Sequence, residues 1–66
     1  MCEADVYLVD DDGNEILILD SVDSIVPGEG EIALENIYSE RKTLEARIKY
    51  MKLVEHRIIL EKLDNK

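Results

Sequence analysis

Few side chains in this sequence of 66 residues can do chemistry beyond carrying charge, and the two that stand out are a single cysteine, Cys2, and a single histidine, His56. A thiolate is both a nucleophile and a soft metal ligand. Behind an initiator Met1 that is removed, Cys2 would also present a free amine beside its thiol. Amine nitrogen and thiolate sulfur close a chelate ring, and nitrogen with soft sulfur in a square plane suits Ni(II) and Cu(II) better than the tetrahedron of zinc. A twofold axis would bring two such ends to one ion. The plainer reading is that a free cysteine packs as a small hydrophobe, and composition alone puts that reading first.

The other candidates are weaker. His56 lies in Val54-Glu55-His56-Arg57 with no second histidine or cysteine at ligand spacing, which reads as an exposed turn residue unless folding brings it to Cys2. Asp10-Asp11-Asp12-Gly13 suggests a calcium loop, yet with Gly13 at the sixth loop position the first and twelfth fall on Leu8 and Leu19, which cannot coordinate a cation. A hairpin tip is the better reading. Arg41, Lys42, Arg47, Lys49, Lys52 and Arg57, with Tyr38 and Tyr50 nearby for stacking, form a possible single-stranded RNA stripe. No phosphate-cradling glycine loop, nucleophile elbow or catalytic carboxylate pair is present, so an enzyme is not expected.

Charge placement sharpens these readings. Residues 1 to 40 hold twelve acids and no Lys or Arg, whereas residues 41 to 66 hold eight bases and four acids, so the net charge of −8 divides into −12 and +4. Opposite fields of this kind pair within the fold or across a dimer, and they disfavour a phosphate backbone as partner. One cysteine allows no internal disulfide, and no apolar stretch is long enough to span a bilayer. A soluble, reducing, cytoplasmic setting is the expectation. With three Tyr and neither Phe nor Trp, the chain sits near the lower limit for a stable single core, and burial across a homodimer interface would help it.

The elements that must position these residues read as short strands. Cys2, Ala4, Val6 and Leu8 share one face and Glu3, Asp5 and Tyr7 the other, a period of two. Asp10 to Asn14 supplies turn residues, and Ile16 to Leu19 returns as the second arm of a hairpin. Asp20 to Ser24 is a polar break, and Pro27-Gly28 has the signature of the central pair of a type II turn. Glu31 to Ile37 is a further strand. From Thr43 onward Leu44, Ala46, Ile48 and Tyr50 point one way and Thr43, Glu45, Arg47 and Lys49 the other; a helix competes, but unbroken alternation favours a strand. Leu53 to Arg57 makes a charged turn, and Arg57 to Glu61 is the last strand. The expected class is all-β: five to six short strands in a small curled antiparallel sheet or an SH3-like or OB-like barrel, with residues 1–62 one domain and residues 63–66 a frayed tail.

Met1-Cys2-Glu3-Ala4, Tyr7-Leu8-Val9, Asp12-Gly13, Glu35-Asn36-Ile37, Glu45-Ala46-Arg47-Ile48 and Leu53-Val54-Glu55-His56-Arg57-Ile58 together resemble the CooT family. These small proteins are often labelled as predicted RNA-binding. The resemblance implies a β-barrel-like homodimer that binds nickel, as Ni(II), through Cys2 and acts as a metallochaperone or sensor in nickel supply to carbon monoxide dehydrogenase. A nickel enzyme or its maturation factors would then be the partner. Two other classes stay open: a single-stranded RNA-binding barrel using Arg47, Lys49 and Tyr50, and a structural or protein-interaction module in which Cys2 is inert.

Overall fold

Strand β1 (Ala4–Val9) runs through the middle of the molecule, and its alternation decides which way everything else faces. The computed structural model describes residues 3–63; Met1, Cys2 and residues 64–66, and with them the expected tail beyond Leu63, lie outside the described residues. Ala4, Val6 and Leu8 face the core and Tyr7 the opposite side, as the period of two requires. After β1 come β2 (Glu15–Gly28), β3 (Glu31–Asn36), β4 (Arg41–Leu44), β5 (Ala46–Lys52) and β6 (Arg57–Lys62). All six lie in one sheet in the order β4-β3-β2-β1-β6-β5.

The fold is all-β, and the sheet is mixed: four pairings are antiparallel, while β1 and β6 run parallel with Tyr7 opposite Ile59. Its two end strands, β4 and β5, are consecutive in the chain with only Glu45 between them. The sheet must therefore curl until its ends meet, and β3 packs against β5 across the interior. No ladder joins β4 to β5, so the curled sheet is not closed into a barrel. The core within the curl holds Val6, Leu19, Ile32, Leu34, Ile58 and Leu60, each stabilising the fold by roughly 1.5–3 kcal/mol.

Three local readings change. The polar break at Asp20–Ser24 does not end a strand: β2 continues through it, bent where Ser21 adopts φ of 55° and where the pairing passes from β1 to β3 at Val22. Asp5 Oδ1 accepts the Ser21 N–H at 3.2 Å, which holds the bend against β1. Pro27 and Gly28 are not the turn but its flank, paired with Ile32 and Glu31, and Gly30 supplies the positive φ of 77°. Beyond Val22 the ladder to β1 has ended, so a proline there need not cost the sheet a hydrogen bond. The stretch from Thr43 is not one strand, because Glu45 divides it between opposite ends of the sheet. Ala46 and Ile48 keep the predicted inward face, but an irregularity between Ile48 and Tyr50 turns Tyr50 to the outer side, opposite Ile59.

Candidate metal site at the head of β1

The parallel pairing of β1 with β6 sets the turn before β6 beside the first residues of β1. The turn Leu53–His56 is closed by the His56 N–H donating to the Leu53 carbonyl at 3.1 Å, and the Asp5 N–H donates to the His56 carbonyl at 2.9 Å. His56 has φ of 56°, a conformation in which histidine is enriched among non-glycine residues. Ala4, Lys52, Leu53, His56, Arg57 and Ile58 line one depression of about 310 Å³ at this end of the sheet. The sequence left His56 as an exposed turn residue unless folding brought it to Cys2; His56 is exposed, and it shares a wall with Ala4, two residues along from Cys2. Cys2 itself lies outside the described residues. Among the described residues no group of three or more His, Cys, Asp or Glu is placed to hold a metal ion.

The other candidates are occupied locally. Asp10 Oδ1 accepts the N–H groups of Asp12 and Asn14, each at 2.9 Å, so the acidic tip is a hairpin turn built around its own first carboxylate. These bonds, that of Asn14 first, hold the Asp10 carboxyl below its ordinary value. Arg41 pairs with Glu35 at 3.6 Å, Arg47 with Glu61 at 2.7 Å and Arg57 with Glu15 at 2.6 Å. Each joins a base of the second part of the chain to an acid, two of them from the first part. The Tyr50 hydroxyl donates to Glu15 at 3.2 Å. Of the three residues named for RNA, Arg47 and Tyr50 are thus engaged by acids of the same chain.

Two features go beyond the reading of the sequence. One is the outer-face group in which Arg57 spans from Tyr7 to Glu15 on the side of the sheet where Ile59 is buried to 1% exposure. The other is the apolar character of the turn, where Leu53 and Val54 are 73% and 93% exposed. The adjacent Leu-Val pair was the available signal, since a charged turn does not call for it.

Residues 1–61 match the family described as CO dehydrogenase accessory protein CooT. The chain belongs to the CooT family. A crystal structure assigned to CooT of Carboxydothermus hydrogenoformans is similar to it over 96% of this chain and 100% of that one, at 46% identity and a TM-score of 0.86. No curated protein matches the chain. The family is described as that of an accessory protein of CO dehydrogenase, which supports a role in the maturation of that enzyme. Among the described residues no helix is long and apolar enough to cross a membrane.

Proposed function

We propose that this CooT protein carries a single Ni(II) ion for CO dehydrogenase in the cytoplasm, where a lone thiol stays reduced, with the ion shared between the Cys2 thiolates of two copies. The observation that carries the reading is the pairing of family and place: the match to a CO dehydrogenase accessory family includes the chain's one cysteine, two residues before the strand around which the sheet is built. The neighbouring surface supports the dimer. Val54 projects into solvent from the turn whose Leu53 lines the depression together with Ala4 and Ile58, so knob and hollow lie in one patch. A patch that contains both halves of a contact can pair with itself about a twofold axis.

Binding would release protons, since the thiol must ionise before it ligates, and affinity would rise with pH. Native intact-mass measurement with and without added nickel tests the reading directly. The expected result is a dimer gaining one nickel ion, together with a thiolate-to-nickel absorption band. Cys2→Ser should keep the fold and lose both; nickel uptake by that variant with unchanged stoichiometry would place the ion elsewhere.

A further inference from the structure

We infer that the open edge of β5 receives an extended, acidic segment of another protein, which adds to the sheet as a further strand. β5 stands at one end of the sheet and, among the described residues, ladders only with β6. In a strand with one neighbour, every second residue directs its N–H and C=O groups outward, where they form a template for an incoming chain. β4 at the other end of the sheet is open too, but it is four residues long against seven and carries no exposed large apolar side chain.

Charge selects the occupant. β5 (Ala46–Lys52) contains Arg47, Lys49 and Lys52 and no acid, in a chain whose net charge is −8. Arg47 is engaged by Glu61, whereas Lys49 and Lys52 are exposed and make no ion pair with a described residue. Screening over a Debye length of about 8 Å leaves a chain laid along this edge to feel chiefly the charges of β5 itself. Edge lysines, and the irregularity between Ile48 and Tyr50, are devices that guard a sheet against pairing. A guard made of charge is selective: it excludes a second copy, whose β5 would set like charges opposite one another, and admits a strand of the opposite sign. Each face of the edge also offers an apolar anchor. Met51, 50% exposed, stands opposite Ile58 of the core, and Tyr50, 39% exposed, stands opposite Ile59 on the outer face. A segment that alternates carboxylates with β-branched residues fits this pattern. A nucleic acid fits it less well, since the Tyr50 hydroxyl donates to Glu15 and so keeps a carboxylate beside the one aromatic ring of the strand.

The test uses the native protein and a fluorescently labelled peptide as long as β5 that alternates glutamate and valine. Its comparison probes are the same peptide N-methylated along one edge, a lysine-valine peptide and an oligouridylate. Lys49→Glu is the protein variant, with Lys49→Gln beside it. Lys49 is exposed and lies outside the depression at the head of β1, so neither the core nor the face proposed for the dimer is touched. Circular dichroism and sedimentation check both. The glutamate-valine peptide should bind in anisotropy titrations and the other probes more weakly. N-methylation or Lys49→Glu should lower its affinity roughly tenfold or more, with Lys49→Gln in between. No binding of the glutamate-valine peptide overturns the proposal, because the edge is then closed to strands of either sign. Equal binding of the N-methylated peptide overturns it by showing that charge acts without strand pairing. Tighter binding of the oligouridylate would assign the edge to nucleic acid, and a changed oligomeric state in Lys49→Glu would assign it to a second copy; either result overturns the proposal as well.

Discussion

The guanidinium carbon of Arg57 lies 4.5 Å from the centroid of the Tyr7 ring, across the parallel seam between β6 and β1. Its Nη2 reaches Glu15 Oε1 at 2.6 Å, and its Nε is buried with no hydrogen-bond partner. A lysine ammonium, a compact point charge, cannot lie over the ring and reach Glu15 through a second nitrogen at once. Arg57→Lys should therefore lower stability by about 1 kcal/mol although the charge is kept. In a double-mutant cycle with Tyr7→Leu, urea unfolding should show a coupling of about 0.5–1 kcal/mol between the two positions. Strict additivity would mean that the proximity carries no energy.

This pair also shows where sequence reasoning stops. The alternation of Ala4 to Val9, the hairpin at Asp10 to Asn14 and the strand Arg57–Lys62 are local patterns, and local patterns are what a sequence displays. That β1 pairs with β6 in parallel is a contact between the first strand and the last, fixed by the curl of the whole sheet and not by any spacing. The proximity of His56 to Ala4 and the stack of Arg57 on Tyr7 both follow from it. The outward turn of Tyr50 was hidden for a related reason, since one irregular residue in a strand reverses the facing of all that follow. Cys2 was legible as a candidate by its type and by the family resemblance, whereas what folding sets beside the head of β1 depends on tertiary structure.

Asn36 is 2% exposed, and its side chain braces the β3–β4 turn, which backbone bonds from Asn36 N–H to the Glu40 carbonyl and from Ser39 N–H to the Asn36 carbonyl also close. Its Oδ1 accepts the N–H groups of Tyr38 at 3.0 Å and Glu40 at 2.9 Å, and its Nδ2 donates to Glu40 Oε1 at 2.6 Å. Asn36→Ala removes the acceptor for two backbone donors next to the core, and each donor left unpaired costs about 1–3 kcal/mol where water cannot reach it. The net loss should be about 2–3 kcal/mol, read as a lower urea midpoint with an unchanged slope. Asn36→Asp restores the acceptor but sets a carboxylate against Glu40, so it should recover only part of the loss at neutral pH.

The Asp10 carboxyl, held below its ordinary 3.8 chiefly by the Asn14 N–H, makes stability depend on pH. A carboxyl lowered in the folded state contributes stability that is fully present above its unfolded value and is lost as pH falls through the folded one. Asp10→Asn keeps an oxygen for the same N–H groups and removes the titration. The advantage of the native protein over Asp10→Asn should therefore be constant at neutral pH and shrink below about pH 4, in urea midpoints measured across that range. A difference independent of pH would show that Asp10 acts only through turn geometry.

Leu53 and Val54 allow the proposed dimer to be tested without touching the core. Both are exposed in the single chain, so replacing them with glutamate removes no core packing, and changes of this kind at open surface positions generally lie within about 0.5 kcal/mol. If the turn is the surface that a second copy covers, Leu53→Glu with Val54→Glu places like charges at the centre of a twofold contact, where they face each other without a partner. Sedimentation should then show a folded monomer, and the one nickel ion per two chains that the proposed arrangement requires should be lost although Cys2 is intact. A variant that stays dimeric would move the interface to another face of the sheet. A monomer that still binds nickel with native affinity would mean that one chain suffices, and the shared-thiolate arrangement would fall while the role of Cys2 remained.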